Sequence, residues 1–152
     1  MSEIIFKNRE ISSEELKQMN AGFDQNTIDN GVKIQTADRF SFVATIENNF
    51  VGCASGLAYK NDDEYSGWFY LTDLFVEKEF RFQKVGSKLL SSLEKEIKKI
   101  GVLNTWVWTA GYEASPFYQK QGYKIFAKME NWYSDGSSRV GLRKNLLNQR
   151  LP

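Results

Sequence analysis

The chain has 152 residues, 41% of them hydrophobic and 26% charged, the size and balance of one globular domain spanning residues 1–152. Twenty Lys and Arg against nineteen Asp and Glu leave a net charge of +1, so no global field recruits nucleic acid or an anionic membrane. With no histidine and the single cysteine Cys53, an internal disulfide, a His/Cys zinc site and a Ser-His-Asp triad are excluded, and no metal is expected.

The start, MSEIIFKNREISSEELK, mixes charges with apolar residues instead of building a signal core. No later apolar run approaches membrane-spanning length, so a soluble, cytoplasmic protein is expected. Ile4 to Arg9 reads as a first strand. Ser12 or Ser13 then caps an amphipathic helix through Glu14, Glu15, Leu16 and Met19, and Gly22 to Asp38 reads as irregular or briefly helical. From Phe40 the pattern turns to period two, with Phe40, Phe42, Ala44 and Ile46 on one face, and Asn48-Asn49 turns the chain into Phe50 to Tyr59. Cys53 in that strand reads as a buried structural thiol.

Asn61 to Gly67 is polar and separates this strand from Trp68 to Val76. Val85, Leu89, Leu93 and Ile97, joined by Leu90 and Ile100, then mark a long amphipathic helix, with Lys88, Ser91, Glu94, Lys95 and Lys98 on its polar face and Gly101 at its end. Val102 to Thr109 is a buried strand, Pro116 opens a short helix ending at Gly122, and Tyr123 to Met129 and Arg139 to Leu142 close the fold as strands.

Chemistry concentrates at EKEFRFQKVGSK, where a strand feeds a helix N-terminus through a basic turn containing Gly86. Free amides at a helix start, with Arg81, Lys84 and Ser87 beside them, suit a phosphate. The same residues fit equally a solvated basic turn in which Gly86 lets the helix pack on the sheet. Without histidine, proton transfer near neutral pH falls to carboxylates, tyrosines, lysines or water.

The segment LTDLFVEKEFRFQKVGSKLL resembles the cofactor-binding motif of the GNAT family of N-acetyltransferases, a strand, then Arg/Gln-x-x-Gly-x-Gly/Ala, then a helix. Arg81 and Gly86 match its first and last positions. Lys84 stands where the middle glycine is usual, and Phe82 where a glycine often follows the arginine. A second block, ASPFYQKQGYKIF, resembles the family's later motif through Ala114, Phe117, Tyr118, Lys120, Gly122 and Tyr123, with Gly111 where an asparagine is often found.

The resemblance implies an α/β (α+β) fold: one mixed, mostly antiparallel sheet of six to seven strands, helices on both faces, and a splay between the fourth and fifth strands. It implies acetyl-CoA as cosubstrate, its pantetheine arm along Leu74, Phe75 and Val76 and its pyrophosphate on the turn Arg81, Phe82, Gln83, Lys84, Val85, Gly86 and Ser87, with Lys120 nearby. In the implied reaction an amine attacks the thioester directly. Tyr118 is then the general acid, the Val76 amide a donor to the oxyanion, and Asp73, with Glu113 as a lesser candidate, the base.

For the acceptor, the resemblance points to Phe23, Asp24, Asp62, Asp63, Glu64, Tyr65, Trp132, Tyr133 and Asp135, groups that suit a cationic amine, although the segment Asn61 to Tyr65 fits equally a solvated turn. A small-molecule amine is expected, with a protein amine, or a non-catalytic acyl-CoA sensor on the same fold, as alternatives. Trp132, Tyr133 and the final strand are candidate homodimer contacts.

Overall fold

Alternating apolar residues build the β1–β2 hairpin, strands Gln35–Ile46 and Asn49–Asn61. Glu47 and Asn48 turn it with φ of 48° and 64°, the doubly left-handed turn that matches strand twist, one residue earlier than the sequence suggests. A second hairpin follows at once, because Asp62, at φ 58°, lets β3 start at Glu64 and run to Val76. The structure, a computed structural model, describes residues 2–112 and 114–148. The candidate base Glu113 lies outside them.

A short 3-10 turn at Lys78–Phe80 leads to α1, Val85–Lys99, then to β4, Asn104–Ala110, α2, Ser115–Lys120, β5, Lys124–Met129, and β6, Arg139–Asn145. The six strands form one sheet in the order β1-β2-β3-β4-β6-β5. Every neighbouring pair is antiparallel except β3 and β4. The mixed, mostly antiparallel sheet is therefore present. β6 lies between β4 and β5, so the final strand is no free edge and does not offer one for pairing with a second copy.

One sheet face is the core. Ala54, Ala58, Phe69, Leu71, Val107 and Leu142 pack there against Leu89, Leu90, Leu93 and Ile97 of α1 and Tyr118 of α2. Small residues on β2 let α1 approach closely: a Cβ on Gly52 would lie 3.2 Å from a Leu89 methyl. Cys53 points to the opposite face and is half-buried rather than buried. Glu94 also departs from expectation. It is 5% exposed because Lys144, fifty positions along the chain, meets it at 2.8 Å, a partner that helical periodicity cannot reveal.

The chain divides after Ile34 into two units. In the first, a 17-residue helix, Ser13–Asp29, is capped by the Ser12 hydroxyl, which accepts from the Glu15 amide at 3.1 Å. It runs well past the expected end, through Gly22. A Gln25–Asp29 side-chain bond of 2.9 Å and the Thr27 hydroxyl on the Phe23 carbonyl support its later turns. The strand expected at Ile4 to Arg9 is absent. Ile4, Ile5 and Phe6 are consecutive and 72–92% exposed, and propensity without a paired neighbour does not make a strand.

Candidate active site

β3 and β4 pair only over Trp68–Tyr70 and Asn104–Trp106. Beyond Tyr70 the register of β3 on β2 slips, Ser55 facing Asp73 but Gly56 facing Leu71. The extra residue, Thr72, forms a bulge that bends β3 away from β4. The splay implied for the fourth and fifth strands thus lies between the third and fourth, because no strand forms at the N-terminus.

The backbone in the gap can be assigned. The Glu77 amide donates to the Val51 carbonyl at 2.8 Å, and bonded pairs alternate along an antiparallel ladder. Phe75 therefore pairs with Cys53, while the amides and carbonyls of Leu74 and Val76 face the gap. Arg81 takes one of them, its Nε donating to the Val76 carbonyl at 3.0 Å. The rest are open to a ligand, and buried backbone groups require such partners.

A cleft of about 640 Å³ lies here, lined mainly by Leu74, Phe75, Val76, the turn Arg81, Phe82, Lys84 to Ser87, and Phe117. Phe82 and Lys84 both have φ of 63°. The turn thus takes the left-handed conformation that glycines usually supply, with the Phe82 side chain fully exposed to solvent. It delivers the chain to the N-terminus of α1, where amides are unpaired and the dipole favours an anion. Gly86 packs close to Phe117, its ideal Cβ position 3.6 Å from the ring. Ser87 accepts from the Gln121 amide at 3.3 Å. Gln83 instead bonds the Glu79 carbonyl, and neither it nor Lys120 is among the residues lining the cleft. Phe80 is, and nothing in the motif pattern singled it out.

A second part of the cleft, about 250 Å³, shares Leu74, Phe75 and Ala114 and adds Thr72, Asp73, Trp108 and Tyr118. Tyr118 is 4% exposed. Burial raises its hydroxyl pKa far above the usual tyrosine value, so it stays protonated. Its ring packs edge-on against Phe117 and Tyr123 at 5.3 and 5.4 Å. Its hydroxyl has no hydrogen-bond partner among the described residues. Asp73 is 64% exposed, accepts from the Thr72 hydroxyl at 2.7 Å and sits 4.0 Å from Arg39. Arg39 in turn bonds Ser55 and Thr72, each at 2.9 Å, tying β1, β2 and the bulge together.

Away from the core face the cleft opens onto aromatics. Tyr70 stacks on Trp106 at 4.1 Å, Trp106 meets Trp108 edge-on at 6.4 Å, and Trp108 meets Phe126 at 5.7 Å. Of the expected acceptor groups, Trp132 is joined to this face through Arg139, whose guanidinium lies over both Trp108 and Trp132. Tyr133 packs against Tyr112 at 5.4 Å. Asp135 is turned onto the Ser137 amide and hydroxyl, which hold its carboxyl below its ordinary pKa. Asp62, Asp63, Glu64 and Tyr65 are elsewhere. They occupy the opposite end of β3, roughly 30 Å from Asp73 at strand rise, where Tyr65 and Lys60 bind Asp38. Phe23 and Asp24 belong to the first unit.

A curated acetyltransferase of Agrobacterium fabrum is 29% identical over 87 residues, 57% of this chain and 61% of the relative's length. The crystal structure of an acetyltransferase from Bacillus cereus superposes with a TM-score of 0.72 at 23% identity, covering 94% of this chain and 97% of that one. An aminoglycoside 6′-N-acetyltransferase crystallised with coenzyme A gives a TM-score of 0.62 at 19% identity, over 74% of this chain and 76% of its own. The family model of the acetyltransferase (GNAT) domain matches residues 37–125, the span holding the splay, the basic turn and Tyr118, and the chain belongs to that family.

Proposed function

We propose that the protein transfers an acetyl group from acetyl-CoA to the primary amine of a small molecule, with Tyr118 as general acid. One observation carries this reading: the hydroxyl of the largely buried Tyr118, without a hydrogen-bond partner among the described residues, belongs to the part of the cleft that Leu74 and Asp73 also line. The free edge of β3 suits the amide-rich pantetheine arm, which would pair with it as an added strand. The turn from Arg81 to Ser87 suits the pyrophosphate, through amides at a helix start and the Arg81 and Lys84 cations.

Attack of a neutral amine on the thioester carbonyl generates a tetrahedral oxyanion, for which the Val76 amide is the candidate donor. Collapse expels the CoA thiolate, and Tyr118 gives it a proton. Asp73, at the mouth of the same cleft, takes the proton from the amine directly or through water.

The test has two stages. Acetyl-CoA at 100 times its dissociation constant adds about 2.7 kcal/mol to stability, a melting rise of roughly 5 to 10 °C for a chain of this size, with ATP and NAD as controls. Thiol release is then followed across an amine panel for the wild type and Tyr118→Phe. A loss of turnover of about 10² to 10⁴ in the variant, with acetyl-CoA affinity retained, is the expected result. Undiminished transfer by Tyr118→Phe would remove the acid role, and no melting rise would remove the cosubstrate.

A further inference from the structure

Arg139 sits where β6 meets the end of β4, paired with Ala110. Its guanidinium carbon lies 5.7 Å from the Trp108 ring centre and 5.3 Å from that of Trp132. Trp108 itself lines the part of the cleft that holds Asp73 and Tyr118. Of the other cations lining or flanking the cleft, Arg39 bonds Ser55 and Thr72 and Arg81 the Val76 carbonyl, while Lys84 lies on the basic turn, at the far part of the cleft from Asp73 and Tyr118. Arg139 has no carboxylate or hydrogen-bond acceptor among the described residues, and Asp135, an acid of the neighbouring loop, is held by Ser137.

A guanidinium lying over indole rings keeps its charge and its in-plane N–H donors while the rings fix its orientation. Five donors in a rigid fork match the oxygens of a carboxylate or phosphate. From this geometry we infer that the acceptor amine carries an oxyanion, and that Arg139 binds it while the amine end reaches the Asp73–Tyr118 part of the cleft. The inference rests on the transferase reading and narrows it. The acceptor is an amine with an anionic group close by, not a polycation, which Arg139 would repel. The acidic residues near Asp62, which would suit a cationic acceptor, are remote from the cleft.

The test uses matched acceptors that differ by one anionic group: phenethylamine against phenylalanine, and ethanolamine against O-phosphoethanolamine. Thiol release gives kcat/KM for each in the wild type, Arg139→Gln and Arg139→Lys, with melting temperature confirming that the variants fold. The ratio of anionic to neutral acceptor falls about 10- to 100-fold in Arg139→Gln, the worth of a charge-assisted bond, and Arg139→Lys keeps part of it. Whichever pair carries the effect identifies carboxylate or phosphate as the oxyanion.

Binding of N-acetylphenylalanine and N-acetyl-O-phosphoethanolamine, followed by tryptophan fluorescence, gives a readout independent of turnover. Acetyl transfer with the same anionic-to-neutral ratio in all three proteins overturns the Arg139 site and leaves the transferase standing. No transfer to any amine, with product binding still weakened by Arg139→Gln, overturns the transferase reading and supports the anion site.

Discussion

The Tyr123 hydroxyl donates to one oxygen of the Glu94 carboxylate at 2.7 Å, while Lys144 holds the other at 2.8 Å. The Thr105 hydroxyl donates to Tyr123 at 2.8 Å, so β4, the residue preceding β5, α1 and β6 meet in one network. The Tyr123 ring forms an edge contact with Tyr118. The same network that joins the helix to the sheet therefore supports the ring of the proposed acid.

Breaking this network from one side leaves a charge in the core. Glu94→Gln strands the Lys144 ammonium, whose side chain is 10% exposed, and is expected to cost about 3 to 5 kcal/mol by urea unfolding. The double variant Glu94→Leu/Lys144→Met removes both charges and recovers part of that loss, since a well-packed apolar pair often replaces a buried ion pair without penalty, while the Tyr123 hydroxyl loses its acceptor. A double variant no more stable than Glu94→Gln would show that the ion pair itself stabilises the fold.

Both buried tyrosines make stability fall at high pH. Desolvation raises the pKa of Tyr118, and desolvation together with the Glu94 charge raises that of Tyr123. Their folded values lie above the unfolded value of about 10, so the contribution is complete below pH 10 and lost as pH rises toward the folded values. Denaturation midpoints measured from pH 8 to 11 should decline above pH 10, less steeply in Tyr118→Phe. Absorbance titration of the tyrosinate band should show these two groups ionising only on unfolding.

Much of this arrangement is legible in the sequence where residues act locally. The four-residue recurrence of Val85, Leu89, Leu93 and Ile97 marks α1, the alternation from Phe40 marks β1, and the two motif blocks mark the turn and α2. What the chain order hides is long-range. Glu94 reads as surface until Lys144 arrives from β6, and Arg139 reads as an ordinary strand residue until Trp108 and Trp132 frame it. Ile4 to Phe6 has the composition of a strand but no partner. The acidic hairpin at Asp62 is assigned to the acceptor by its position in chain order, whereas its distance from the cleft follows from the length of β3, which starts earlier than its polar residues suggest.

The left-handed turn offers a direct test of local strain. Phe82 and Lys84 hold φ of 63°, a conformation costing about 1 to 2 kcal/mol for residues with a Cβ, of which glycine returns part as unfolded-chain entropy. Phe82→Gly, whose side chain is fully exposed, is expected to raise stability by about 0.5 to 1 kcal/mol. Lys84→Gly should gain similarly in stability yet bind acetyl-CoA more weakly, with a shallower salt dependence, because a cation is lost from the proposed pyrophosphate site. Equal affinity for wild type and Lys84→Gly would place Lys84 outside that site.

Gly141 sets how closely the aromatic face packs. A Cβ there would stand 2.8 Å from the Phe126 ring and 2.9 Å from the Trp108 ring, closer than carbon atoms tolerate, so Gly141→Ala displaces one ring or both. The cost is expected at about 1 to 3 kcal/mol, visible as a lower denaturation midpoint and a changed tryptophan emission. Because Trp108 also lines the cleft and carries Arg139, the same substitution should raise KM for the acceptor more than for acetyl-CoA, whose proposed contacts lie on the turn and β3. Equal effects on both substrates would mean that the aromatic face positions the cleft as a whole and not the acceptor alone.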